Sequence, residues 1–167
     1  MWDLRPKITN MPSVHRLSIF ADYFQFIVQD ENSEDDFGSL WTESALDCMV
    51  ALGETAICPG TLRNVDVPVE VHVLGAEPAV MLEGYDHIVQ GAFETPTGRL
   101  VVMECTEYFF DAPRFDVAPG SYRFLYVISG VKTITVEWEP AEELYCLYIW
   151  PGEARRTRLL KHWKGAD

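Results

Sequence analysis

Histidine is scarce and scattered. His15, His72, His87 and His162 lie far apart, and no H-x-H or H-x-x-x-H pair occurs. A metal site would need ligands from distant segments. The four cysteines, Cys48, Cys58, Cys105 and Cys146, form no C-x-x-C and no disulfide framework, so four free, mostly buried thiols are expected. There is no G-x-G-x-x-G, no P-loop and no G-x-S-x-G, which removes the common dinucleotide, nucleotide and hydrolase signatures. No apolar run nears the roughly 20 residues that span a bilayer. Met1-Trp-Asp-Leu-Arg-Pro-Lys has no apolar signal region, so the expected place is the cytoplasm.

Basic residues are few as well. Thirteen Lys and Arg stand against 26 Asp and Glu, for a net charge of −13 and a pI of about 4.6. The balance is uneven. Arg155, Arg156, Arg158, Lys161 and Lys164 are joined only by Asp167 in the last 13 residues, which sum to +4 and leave −17 for the rest. Such a body is repelled by phosphate, which argues against direct nucleic-acid binding and suits a basic partner. Acidity that merely keeps the chain soluble is the plainer alternative.

What the chain does have is strand chemistry. At 167 residues, 48% hydrophobic and 13% aromatic, it is read as a single domain over 1–167, with 1–12 an irregular lead and 153–167 a basic tail. The stretch from Asp22 to Gln29 is aromatic and β-branched, continuing a strand begun at Arg16. Its period-2 placement would bury Phe24 and Phe26 and expose Tyr23 and Gln25. Asp30 to Asp36 then puts five carboxylates in seven positions. That density and Gly38 predict a loop outside any sheet.

A helix is predicted over about 42–52. Thr42 caps it, Glu43 sits in its first turn, Ala45, Met49 and Leu52 form its packing face, and Gly53 stops it. Further strands are read at 55–58, 67–74, 87–94, 99–107, 121–128, 132–138 and 143–150. In the second of these Val67, Val69, Val71 and Val73 face one way, while Pro68 marks an edge or a strand start. Thr95-Pro-Thr-Gly98 is a tight turn. The basic tail is read as a short helix or a docked coil. The fold class is mainly β, an antiparallel β-sandwich of 7–9 strands with one packed α-helix.

Chemistry is thin. Glu70 and His72 share a strand face and Asp86 adjoins His87, either an acid–base or metal pair or an exposed surface pair. A Cys nucleophile would need a His from elsewhere in the chain. The 30–36 carboxylates lack the calcium-loop register and its distal Glu. No catalytic residue, metal ligand or cofactor is assigned.

Two blocks carry a resemblance. Tyr23-x-Gln25-Phe26, an irregular insert and Trp41-Thr42-Glu43-x-Ala45 form the first. Phe115-Asp116-x-x-x-Gly120-x-Tyr122 forms the second. Their order and spacing resemble the bacterial competence protein ComJ family over Phe20 to Ile128. The resemblance implies a non-enzyme, an inhibitor held in complex with a DNA-entry nuclease, or an immunity factor of that kind. It brings no catalytic residues with it. An inhibitor that competes with a polyanion for a basic groove is expected to be acidic. The contact surface is assigned to Asp30, Glu31, Glu34, Asp35, Asp36, Trp41 and Glu43, with Trp41 an anchor if exposed. The basic tail departs from this pattern, and would neutralise acidic surface within the fold or serve a homodimer contact. The competing reading is a sandwich binding a small molecule or sugar, or an enzyme on that scaffold, recognisable by a deep pocket with convergent polar groups.

Overall fold

A computed structural model describes residues 11–79 and 82–163. Most of the irregular lead, and Lys164 and Asp167 of the basic tail, lie outside the described residues. The elements in chain order are β1 (Ser13–Phe20), β2 (Ile27–Asp30), α1 (Phe37–Leu40), α2 (Glu43–Cys48), β3 (Val50–Leu52), β4 (Ala56–Pro59), β5 (Asp66–Val73), β6 (His87–Thr95), β7 (Arg99–Met103), β8 (Arg114–Asp116), β9 (Gly120–Ser129), β10 (Leu144–Pro151) and β11 (Arg158–Lys161). They form a six-stranded sheet, β1-β5-β10-β9-β6-β11, and a five-stranded sheet, β3-β4-β2-β7-β8.

The sheets face each other across one core. Period-2 alternation sends Val67, Val69, Val71 and Val73 inward from β5 and Tyr122, Phe124, Tyr126 and Ile128 inward from β9. They meet Val28, Ile57, Leu100 and Val102 of the other sheet. The intervening positions Leu125 and Val127 pack outward with Ile88, Cys146 and Trp150. At one border His15 of β1 stacks on Phe115 of β8, ring centroids 4.0 Å apart. The link from β6 to β7 passes the chain from one sheet to the other. Its turn needs Gly98, whose φ is +69° and where a Cβ would stand 2.3 Å from the Val117 carbonyl oxygen.

The mainly β reading holds, with corrections. The described residues hold eleven strands and two short α-helices rather than 7–9 strands and one helix. The pairing is also mixed, because β10 runs parallel to β5. Pro68 lies one residue before that parallel register opens at Val69, so its missing N–H interrupts no bond to β10.

The predicted helix is cut to Glu43–Cys48. Thr42 caps it as expected, its Oγ1 accepting from the Ala45 N–H at 3.2 Å. The stop is Met49, in left-handed conformation at φ 57° and ψ 32°, rather than Gly53. Val50, Ala51 and Leu52 pair with Pro59, Cys58 and Ile57 instead. Burial of Val50 and Ala51 in that pairing outweighs the marginal gain of extending a short helix. Ala45 and Cys48 are therefore the buried helix residues, not Met49 and Leu52.

The strand expected at 132–138 is absent. Val131–Thr133 is a single 3-10 turn, and the carbonyls of Glu137 and Glu139 accept from Arg63 instead of a neighbouring strand, at 2.8 and 2.6 Å. The basic tail is irregular over 153–157, in line with a docked coil, and then forms a strand rather than a helix. β11 adds antiparallel to β6, because that edge is free and Leu159 and Leu160 can pack on its two faces.

Candidate functional site

The chain from β1 to β2 must change sheets, and it does so through a tight turn. Tyr23 has φ 57° and ψ 26°, and Phe24 has φ 59°. The turn closes with the Phe24 N–H donating to the Ala21 carbonyl at 3.0 Å. The expected burial of Phe24 therefore fails. Phe26 is fully buried, while Phe24 turns outward and Tyr23 is 69% exposed.

Across from this turn lies the end of β4. Gly60 donates its N–H to the Met49 carbonyl at 2.7 Å and accepts from the Tyr126 hydroxyl at 2.6 Å. A Cβ at Gly60 would sit 3.1 Å from the Met49 oxygen, so this close approach favours glycine. Trp41, between α1 and α2, donates its indole N–H to Gln25 Oε1 at 2.8 Å. Between these parts opens a groove of about 430 Å³, lined mainly by Tyr23, Phe24, Trp41, Leu46 and Met49 over a floor at Gly60.

Backbone strain is concentrated here. Among the described residues three non-glycine positions have positive φ, Tyr23, Phe24 and Met49, and all three line the groove. Each costs about 1–2 kcal/mol against right-handed backbone. Strain of this kind, kept beside exposed aromatic groups, is a mark of functional surface. Tyr23→Gly should consequently raise the unfolding free energy by about 0.5–1 kcal/mol, read by urea titration. A loss of stability would mean that the tyrosine ring is itself structural.

Charge is lopsided along the segment that builds the groove. From Leu17 to Leu62 there are nine Asp or Glu and no Lys, Arg or His. Every residue lining the groove falls within that stretch.

The carboxylates assigned to partner contact divide into two groups. Asp30 ends β2 and is 1% exposed. Its Oδ1 accepts from the Thr95 hydroxyl (2.7 Å), the Thr97 hydroxyl (2.7 Å) and the Thr97 N–H (3.1 Å), and its Oδ2 from the Asn32 N–H (3.0 Å). Asp35 accepts from the N–H and hydroxyl of Thr55, both at 2.9 Å. Burial pushes both carboxyls up, but the hydrogen bonds outweigh it and hold them below the usual carboxylate range. Residues 31–36 lie outside any strand as expected, but the loop is partly pinned, because these two side chains fasten it to the β6–β7 and β3–β4 turns. Glu31 lies 3.7 Å from Arg99, and Asp36 caps α1 by accepting from the Gly38 N–H at 3.0 Å. Glu34, Asp36 and Glu43 are the exposed members. The loop leaves the C-terminal end of β2, whereas the groove opens at its N-terminal end. Trp41 belongs to the groove.

No protein-family model matches the sequence, and no curated protein matches it. Solved structures do. The chain is similar to the crystal structure of ComJ, inhibitor of the DNA-degrading activity of NucA, from Bacillus subtilis. The TM-score is 0.59 at 18% identity, over 86% of this chain and 96% of that one. It is also similar to crocagin biosynthetic gene J, with a TM-score of 0.60 at 19% identity, over 86% of this chain and 100% of the other. A likeness this far apart in sequence shows a common fold.

The groups weighed for catalysis are occupied within the fold. His72 Nε2 lies 3.0 Å from Glu70 Oε1 on β5. His87 is fully buried, with Nε2 2.7 Å from the Cys48 carbonyl and Nδ1 accepting from the Trp163 N–H at 3.2 Å. Burial and neighbouring hydrogen bonds therefore place His87 in the core and not in a surface pair. All four cysteines are free. Burial pushes every thiol up, Cys146 to about 12, away from the nucleophilic thiolate. Among the described residues no three His, Cys, Asp or Glu gather around a metal-sized space, and no helix is long and apolar enough to cross a membrane. The basic tail is drawn into the fold in part, with Arg155 bound to Glu77 at 2.8 Å.

Proposed function

We propose that this chain is a protein-binding inhibitor of a DNA-degrading nuclease, acting by presenting carboxylates to a basic substrate groove. One observation carries this reading. The 46 residues from Leu17 to Leu62 hold nine acidic and no basic side chains, and they leave Glu34, Asp36 and Glu43 open to solvent. The shared fold with a nuclease inhibitor supports it. The exposed carboxylates of Glu34 and Glu43 take no side-chain hydrogen bond or ion pair among the described residues, so their charge is available to a partner. Asp30 and Asp35 keep the loop in shape for that contact.

At this groove the small-molecule reading is disfavoured by where polar groups point. Gln25 Oε1 is taken up by Trp41 and Cys58, and the Thr61 hydroxyl donates to the Arg63 carbonyl. The groove therefore has few polar groups left to converge on a ligand.

The test is inhibition of DNA degradation by a panel of nucleases, including NucA and any encoded beside this chain's gene, followed by association kinetics. Inhibition of none overturns the reading. Against an inhibited nuclease, the variant carrying Glu34→Ser, Asp36→Ser and Glu43→Ser should associate about tenfold more slowly at low salt, with a smaller difference at high salt. Equal association at both salts would show that these carboxylates are not the contact.

A further inference from the structure

We propose that the Tyr23–Phe24–Trp41–Leu46–Met49 groove is a socket for an apolar side chain that a cationic protein partner carries between Lys or Arg residues. This rests on the reading that the chain binds a basic protein, and it names the anchor of that contact.

Three observations meet at the groove. Its wall is apolar and open, with Tyr23 69% and Leu46 63% exposed. Exposed aromatic and aliphatic groups around a concavity are what an interface anchor requires. Its volume of about 430 Å³ sits low in the range of roughly 300–1,000 Å³ for ligand pockets, which suits one or two side chains. Its backbone is held in left-handed conformation at Tyr23, Phe24 and Met49, so the walls are preorganised and little ordering is needed on binding.

Charge selects the occupant. Asp22 immediately precedes the turn, and Glu43 shares a helix face with Leu46 at i, i+3. No Lys or Arg lies within the stretch that builds the groove. A second copy of this chain, itself at −13, would bring carboxylate to carboxylate. A nucleic acid would bring phosphate. Three of the chain's own arginines are taken up elsewhere: Arg155, Arg156 and Arg158 line a separate cleft with Ser44, Asp47 and Cys48, and β11 is paired to β6.

The experiment is amide NMR on the full ¹⁵N-labelled chain with three short capped peptides. They are Lys-Lys-Phe-Leu-Lys-Lys, its Glu counterpart Glu-Glu-Phe-Leu-Glu-Glu, and the apolar-free Lys-Lys-Ser-Ser-Lys-Lys. Saturable shifts at Tyr23, Phe24, Leu46 and Met49 are expected with the first peptide, and at least tenfold weaker binding with the other two. Leu46→Gln, a change at a mostly exposed position, should weaken the first peptide at least fivefold while leaving the remaining spectrum in place. Shifts that map elsewhere overturn the proposal. Equal binding of the Glu peptide overturns it in favour of an apolar ligand site, and equal binding of the Ser peptide in favour of charge alone. If the first peptide fills the groove but no nuclease is inhibited, the socket stands and the inhibitor reading falls. If a nuclease is inhibited equally by the parent and by Leu46→Gln, the inhibitor reading stands and the socket falls.

Discussion

Glu143→Gln should destabilise the protein by about 3–5 kcal/mol, the usual effect of leaving one buried charge without its partner. At 2–4 °C per kcal/mol for a chain of this size, the melting temperature should fall by roughly 6–20 °C. Glu143 is 1% and Arg63 6% exposed. The carboxylate takes the Arg63 guanidinium on Oε1 and the Tyr145 hydroxyl on Oε2. The same tyrosine oxygen accepts from the Leu62 N–H at 3.0 Å, and Arg63 also binds the Glu137 and Glu139 carbonyls. One network thus ties the β4–β5 connection to the β9–β10 connection. Gln keeps the shape and one acceptor, so the loss reads the charge and not a cavity. Urea titration gives the size. Hydrogen exchange should show the 131–143 connection opening before the sheets do. A change below about 1 kcal/mol would mean that the pair does not tie the two connections together.

That network was not legible in the sequence. Arg63 and Glu143 are 80 residues apart, and each sits in a segment that reads as connection or strand. The period-2 pattern worked where one face is buried throughout, as at Val67, Val69, Val71 and Val73. It failed at 132–138, where Thr-Ile-Thr-Val has strand propensity but Arg63 takes the Glu137 and Glu139 carbonyls at the segment's end. The helix start was readable because Thr42 is a local device. The stop was not, because Met49 takes a conformation that glycine usually supplies, held by its N–H bonds to the Ala45 and Leu46 carbonyls. The groove was hidden for the same reason. Tyr23 and Phe24 read as strand residues, and only the crossing between sheets turns them left-handed. One signal of the groove is present in the sequence: the absence of any cation from Leu17 to Leu62. Within the acidic loop, composition does not reveal which carboxylates find threonines.

Asp30→Ala should cost about 3–4 kcal/mol at neutral pH, and Asp30→Asn less, about 1–2 kcal/mol. Hydrogen bonds to a charged group contribute roughly 1.5–3 kcal/mol each and do not add in full. The alanine leaves the buried Thr95 hydroxyl and the Thr97 and Asn32 N–H groups without their acceptor. The asparagine keeps one oxygen, but its amide meets donors on the other side. The pH dependence separates charge from shape. Burial raises the Asp30 carboxyl, the hydrogen bonds from Thr95, Thr97 and Asn32 together lower it by more, and the result lies below its ordinary value. A depressed carboxyl stabilises the fold fully above the unfolded-state value of about 3.9. That contribution is lost as pH falls from there through the folded value, since the unfolded chain then binds the extra proton. The asparagine does not titrate. The gap between the parent and Asp30→Asn should therefore be largest near pH 7 and shrink steadily below about pH 4. Urea titrations at pH 7 and pH 3 decide it. A gap that is unchanged or wider at pH 3 would show that the carboxylate's charge does not hold the β6–β7 turn to β2. The acidic loop beyond Asp30 would then need another anchor, with Asp35 on Thr55 the one left to carry it.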